Sequence, residues 1–330
     1  MKILLIYTGG TIGSTTQNGF INTDPAQCSQ LLSAYTDYES AFDLEPVVFT
    51  TDSPYVILSE ELNMSHILTL YQCIRQHLAE DRHYDAILIT HGTDTLHYTA
   101  AALCRLCPVS SLPIVMVSAN YVLDDPRSNG FANFASAVAF VRHMPQTGVY
   151  VSYQNNMSDD SIAPVYIYHA NSLMPHTLYE DTVSSLHGQY VCRILPKKRD
   201  GQPYYEQTEQ SLAYHSETNA VSENISLLQP RQPDILVLTV MPGMYYPPVT
   251  DDIRAILLLT YHSGTLPTKD SAFRDFAISA HKKEVPVYVL GTDPACTPYA
   301  STQAYTSLHL TLLPVMTPAD AYMQLVLGLL

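Results

Sequence analysis

The sequence predicts an α/β protein in two parts: a larger N-terminal domain with a mostly parallel sheet and a smaller C-terminal α/β domain. Three observations carry this. Short apolar runs of strand length alternate with longer amphipathic stretches through the first half, the sequence form of repeated β-α-β units. The alternation breaks down in a polar stretch carrying Gly and Pro, then resumes. With 330 residues, 46% of them hydrophobic and only 14% charged, the chain is long and apolar enough for two cores of ordinary size.

In chain order, strands are expected at residues 3–7, 47–49, 86–90, 114–117 and 149–153, each an apolar run bounded by polar or turn residues. Residues 59–80 predict a helix. Ser59 is placed as its N-cap, Glu60 and Glu61 suit its positive N-terminus, and Ile67, Leu68, Tyr71, Ile74 and Leu78 form one apolar stripe. Further helices are expected after Thr95 and across residues 130–143. The N-terminal domain is drawn over 1–194, a polar connection with room for a hairpin over 195–233, and the second domain over 234–330. In that second domain the runs DILVLTV, AILLLTY and PVYVL read as strands. The closing TPADAYMQLVLGLL reads as a helix started by Thr317, Pro318 and Asp320.

Composition narrows the function classes. Sixteen Lys and Arg against 31 Asp and Glu give a formal charge of −15, a surface that repels phosphate backbones, so nucleic acid is set aside as the main partner. The opening MKILLIYTGG has too short an apolar run for a secretory segment or a membrane span, which predicts a cytoplasmic protein without a membrane partner. Six Cys over this length do not make a disulfide framework, and the Cys104-x-x-Cys107 pair reads as two packed thiols.

The candidate chemistry lies at strand ends. The first strand runs into Thr8-Gly9-Gly10-Thr11-Ile12-Gly13, and a later one ends in His91-Gly92-Thr93-Asp94-Thr95. In an open parallel sheet the crevice beyond the strand C-termini binds ligands, and both loops would face it. Glycines let the backbone approach a ligand closely, and a Thr hydroxyl becomes a nucleophile once a base such as Asp94 takes its proton. The same Thr93, Asp94 and Thr95 also suit a helix start, and capping and catalysis are compatible. Rossmann, P-loop and G-x-S-x-G spacings are not present.

Together, TGGTIG and HGTDT resemble the bacterial-type L-asparaginase family in its cytosolic, type I form. SANYVLDDPRSNGFANFASAV and YHSGTLP extend the resemblance over most of the chain. The resemblance implies a flavodoxin-like N-terminal domain, a homodimer or homotetramer, and hydrolysis of the side-chain amide of asparagine or glutamine without metal or organic cofactor. It implies Thr11 as the nucleophile and Thr93 with Asp94 as the second threonine and its carboxylate. It further implies substrate contacts at Gly10, whose loop steadies the oxyanion, at Asp52, at Ser53 for the α-carboxylate, and at the Ala119 carbonyl for the amide.

The sequence departs from the family pattern in three places. Phe20 stands where the family has a tyrosine on the loop after TGGTIG. No lysine occurs between Lys2 and Lys197, so the family's lysine partner of Asp94 is missing. An asparagine given by the C-terminal domain is replaced near Thr265. Tyr55 could return a phenol to Thr11, and His169 or His176 could stand in for the lysine. Losing one acid-base partner typically costs about 10² to 10⁴ in rate. Two readings follow: a weak asparaginase-like amidohydrolase, or an impaired homologue that binds an amino acid as a sensor or partner subunit.

Overall fold

The computed structural model describes residues 1–79, 83–107, 111–155, 163–206, 208–210, 234–293 and 295–330. It divides into two compact units, Met1–Pro230 and Arg231–Leu330. In the first unit, β1 (Lys2–Tyr7) leads through a short 3₁₀ turn into a hairpin of β2 (Ser14–Gln17) and β3 (Phe20–Thr23). Then come α1 (Ala26–Phe42), β4 (Val48–Asp52), α2 (Met64–Ala79), β5 (Ala86–Thr90), α3 (Leu96–Leu106), β6 (Pro113–Val117), α4 (Gly130–His143) and β7 (Gly148–Gln154). The unit continues with β8 (Val165–His169), β9 (Cys192–Ile194), β10 (Lys197–Arg199), β11 (Gln202–Tyr204) and β12 (Thr208–Gln210).

The main sheet has the order β12-β9-β8-β7-β6-β5-β1-β4. Strands β4, β1, β5, β6 and β7 are parallel, whereas β8, β9 and β12 each pair antiparallel with their neighbour. The mostly parallel α/β architecture expected from the alternating runs is therefore met. In β1, Ile3, Leu4, Leu5 and Ile6 are all fully buried, because helices cover both faces. Ile3 and Leu5 join the core with Leu31 and Tyr35 of α1 and Phe134 and Val138 of α4. Leu4 and Ile6 join the core with Leu70 and Ile74 of α2 and Leu96 and Leu103 of α3. Each such side chain contributes about 1.5–3 kcal/mol, which fixes β1 at the centre of the sheet.

Two expectations need correction. The first domain does not stop at residue 194. The β10–β11 hairpin and β12 follow, and β12 pairs with β9 on the sheet edge. Aromatic and ionic contacts hold this stretch down: the Tyr204 ring lies 5.0 Å from that of Phe42, and Tyr205 N–H donates to the Tyr38 hydroxyl at 2.9 Å. Glu206 pairs with Arg142 at 2.9 Å and His143 at 2.8 Å. Residues 211–233 of the expected connection lie outside the described residues.

Ser59, moreover, does not cap the second helix. It opens a separate 3₁₀ turn, Ser59–Glu61, and α2 begins at Met64. Asn63 is the cap, its Oδ1 accepting from Ser65 N at 3.0 Å and His66 N at 3.4 Å. Asn63→Ala should accordingly lower the unfolding free energy by about 1 kcal/mol, read from the urea midpoint.

The second unit is a parallel four-stranded sheet in the order β13-β14-β15-β16. Its elements are β13 (Ile235–Thr239), β14 (Ala255–Leu259), α5 (Ser271–Lys282), β15 (Val287–Leu290), β16 (Leu310–Leu312) and α6 (Pro318–Val326). Thr317 caps α6 by accepting from Asp320 N at 3.2 Å, with Pro318 in the first turn. Among the described residues no helix is long and apolar enough to cross a membrane.

Candidate active site

The chain leaves β1 for β4 on one side and returns to β5 on the other, so the topological switch lies between the C-terminal ends of β1 and β5. Those two ends are stitched together: Thr8 Oγ1 donates to Thr90 O at 2.5 Å, and Thr8 N–H donates to Thr90 Oγ1 at 3.3 Å. Loops after β1, β4, β5 and β6 all emerge at this edge.

Three of these loops meet backbone to backbone. Gly10 has φ 75°, and a Cβ built on it would lie 2.2 Å from Gly92 N, so the glycine loop rests directly on the His91-Gly92 peptide. A Cβ on Gly92 would in turn lie 2.5 Å from Ser59 Oγ. Gly10 N–H donates to Ile57 O at 3.0 Å, and Ile57 N–H donates to Thr8 O at 3.1 Å, which holds the 57–59 segment beside the glycine loop. Ser59 Oγ then donates to Asp94 Oδ2 at 3.1 Å, and Thr95 Oγ1 donates to Ser59 O at 2.9 Å. Thr11 and Thr93 are the residues that follow the two touching glycines. Thr11 is half-buried, Thr93 buried, and Asp94 exposed.

Several sequence-based assignments change place. Gly10 cannot lend its own N–H to an oxyanion while that N–H serves Ile57, so its part is the close approach of the two loops. Ser53 Oγ donates to Tyr7 O at the crevice end of β1 at 2.9 Å, and the Asp52 carboxylate binds His77 Nε2 at 2.7 Å. Sequence reasoning missed the contact of Ser59 with Asp94 by reading Ser59 as a helix cap. The signal was Asn63, a better cap four residues on.

Tyr55 is engaged in the α2 layer. Its ring lies 5.0 Å from that of His66, it packs with Cys73 against the core under α2, and its buried hydroxyl has no hydrogen-bond partner among the described residues. This corrects the expectation that it returns a phenol to Thr11. Phe20 is 73% exposed on the β2–β3 hairpin. Ala119 follows β6 and is fully buried in the same apolar cluster as Ile12, the neighbour of Thr11.

The two candidate histidines part company. Antiparallel β8 carries His169 opposite Tyr150, near the start of β7, and therefore to the end of the sheet away from the crevice. His176 instead lies by the far end of β7, its ring 5.4 Å from that of Tyr153. Burial lowers its pKa, and the charges of Asp181 and Asp94 oppose that shift. Burial likewise drives His91 and His97 to about 4, so both are neutral at pH 7.

Asp52, Cys73 and His77 bring three donor atoms within 4.8 Å of one another. The 2.7 Å Nε2–Oδ2 separation is that of a hydrogen bond. Two ligands tetrahedrally placed around zinc would stand about 3.3 Å apart. The hydrogen bond from His77 is also the first cause of the lowered Asp52 pKa. We therefore assign the group as a hydrogen-bonded triad between β4 and α2.

Comparison with known families matches residues 2–205 to the model described as asparaginase, N-terminal. The chain belongs to the asparaginase family. This asparaginase-family chain is 27% identical over 209 residues to an L-asparaginase of Thermococcus kodakarensis, covering 62% of this chain and 60% of that protein. It is 24% identical over 200 residues to one of the subunits of the glutamyl-tRNA(Gln) amidotransferase of Thermofilum pendens, covering 59% of this chain and 42% of the relative. The chain thus spans roughly half the length of the curated relatives it matches. Among solved structures, L-asparaginase I from Vibrio cholerae shares the fold at a TM-score of 0.70 and 20% identity, covering 99% of this chain and 92% of that one. The thermostable L-asparaginase of Thermococcus kodakarensis matches at 0.70 and 20%, covering 100% and 93%.

Proposed function

We propose that the protein is an amidohydrolase acting on the side-chain amide of asparagine, with glutamine as the second substrate to test. The observation that carries this most is the contact of Gly10 with Gly92. It draws the Thr11 and Thr93 loops to one spot, and Ser59 ties in Asp94 at 3.1 Å. In this reading Thr11 Oγ attacks the amide carbon, the C–N pair departs with the nitrogen as ammonia, and water directed by Thr93 and Asp94 hydrolyses the resulting ester. Ser59 takes the place given to Ser53 as the hydroxyl that meets the substrate's α-carboxylate, while Asp94 meets its α-ammonium. The oligomer is a homodimer or homotetramer, and the compartment is the cytoplasm. The charge of −15 argues against tRNA as a ligand of this chain, although several relatives carry a tRNA amidotransferase name.

A second reading, an amino-acid sensor or partner subunit, is favoured by Phe20, which lies exposed on the hairpin after the glycine loop and offers no hydroxyl. Ammonia release from asparagine and from glutamine, measured beside ligand-induced shifts in melting temperature, decides between them. A hydrolase releases ammonia in both the first and later turnovers. A sensor is stabilised by the amino acid without releasing any.

A further inference from the structure

The strand that delivers the glycine loop ends on a side chain that the reaction as described leaves unused. Tyr7 closes β1 and is buried. Its hydroxyl donates to Gly13 O at 2.7 Å and to Asp24 O at 2.9 Å, one proton shared between two carbonyls. Gly13 ends the 3₁₀ turn that Thr11 begins, and Asp24 follows directly on β3, so the phenol spans the two feet of the β2–β3 hairpin. The feet are also joined to each other and to α1: Asp24 N–H donates to Gly13 O at 2.9 Å, and Asp24 O accepts from Gln27 N–H at 3.0 Å. A Cβ built on Gly13 would lie 2.2 Å from the Tyr7 oxygen, so the turn rests directly on this hydroxyl. Above that base the side-chain bonds of the hairpin are local ones, Gln17 Nε2 to Thr15 Oγ1 at 3.2 Å and Asn22 Nδ2 to Phe20 O at 3.5 Å.

We propose that Tyr7 is a positioning residue for Thr11: its hydroxyl pins the Thr11–Gly13 turn to the end of β1 and so holds the Thr11 hydroxyl where it meets the amide carbon. This rests on the amidohydrolase reading. Within the turn, Gly13 N–H donates to Gly10 O at 2.9 Å, Ser14 Oγ donates to the same carbonyl at 2.8 Å, and Ser14 N–H donates to Thr11 O. Those bonds set the shape of the turn without tying it to the sheet. The ties lie at its two ends, where Gly10 N–H donates to Ile57 O before it and Gly13 O accepts from the Tyr7 hydroxyl after it. Loss of the second leaves the turn free to rock about the first. A misplacement of about 1 Å in a reacting group can cost about 10² in rate, so a fraction of that movement is enough to register in kcat. The hydroxyl is a constant donor at working pH, because burial raises the Tyr7 pKa well above the ordinary phenol value and the neighbouring Cys28 and Asp24 raise it further.

Tyr7→Phe keeps the ring and removes the donor, which makes it the direct test. Its kcat with asparagine should fall about 10-fold with little change in KM. Amide hydrogen exchange over residues 13–24, followed by mass spectrometry in the intact protein, should quicken about 2- to 10-fold, the effect of losing a hydrogen bond of ordinary strength. Tyr150→Phe is the matched control. Tyr150 is equally buried and donates to Thr147 O at 2.9 Å, but it does so at the start of β7, the end of the sheet away from the crevice. This control should lower the urea midpoint by a similar amount while kcat and exchange over 13–24 stay at the parent values. A Tyr7→Phe protein with the kcat of an active parent, or with no greater loss than Tyr150→Phe, reduces the hydroxyl to a stabilising bond and overturns the positioning role while the hydrolase reading stands. Unchanged exchange over 13–24 in Tyr7→Phe overturns the pin itself. A parent that releases no ammonia from either amide overturns the hydrolase reading and this role with it.

Discussion

Replacing Thr11 by alanine is expected to cut ammonia release from asparagine by about 10⁴-fold or more while leaving the unfolding transition in place. Thr11 is half-buried in a short 3₁₀ turn held by bonds that do not involve its side chain: Gly13 N–H and Ser14 Oγ both donate to Gly10 O, and Tyr7 Oη donates to Gly13 O. The turn survives loss of the hydroxyl, whereas the proposed covalent step does not. Thr93→Ala provides the sharper contrast. With Thr11 intact, the first bond can still form, but water is no longer directed to the ester. A burst of ammonia comparable to the enzyme concentration should precede a steady rate reduced about 10²- to 10⁴-fold. Rapid-quench measurement of the first turnover checks this. A burst in Thr11→Ala and none in Thr93→Ala would exchange the roles of the two threonines.

The parts of the fold that were legible in the sequence were those encoded by apolar periodicity. β1, β5 and β6 are buried on both faces and read as unbroken runs, and α4 occupies Gly130–His143, where its pattern places it. The two glycine-containing loops were legible because a strand end followed by glycine and threonine marks the crevice of a parallel sheet. β12 was not legible. Thr208–Gln210 pairs through backbone on a sheet edge and carries no apolar pattern. Ser59 was hidden for a different reason: serine before two glutamates is also a good helix start, and only the position of Asn63 as the true cap frees it to meet Asp94. The two histidines show the limit of proximity in sequence. His169 and His176 fall in one segment, but the antiparallel direction of β8 sends the first to the far end of the sheet, and the turn after it brings the second back to Tyr153. Tyr55 is similar. Its nearness to Ser53 in sequence says nothing of which face it takes, and an apolar layer under α2 claims it.

Gly10→Ala should be among the most destabilising single substitutions at the crevice, lowering the unfolding free energy by about 3–5 kcal/mol. Two costs combine. With φ 75° and ψ 179°, Gly10 occupies a backbone region that other residues enter at about 1–3 kcal/mol. The new methyl would also lie 2.2 Å from Gly92 N and 2.4 Å from Gly92 Cα, backbone atoms that cannot rotate aside, and such overpacking adds about 1–3 kcal/mol. Gly19→Ala, in the β2–β3 hairpin, separates the two costs. Its φ is also positive, at 82°, but nothing lies within 4 Å of the added methyl, so about 1 kcal/mol is expected. Urea midpoints of the two variants measure the difference. The larger loss at Gly10 would mean that the glycine loop and the His91–Thr95 loop are pressed together in solution. Because relief of the clash must part those loops, ammonia release should fall in Gly10→Ala even at temperatures where the chain is still folded, and should persist in Gly19→Ala. Equal midpoints for the two variants would show that the loops do not touch, and would remove the arrangement on which the proposed catalysis by Thr11 and Thr93 depends.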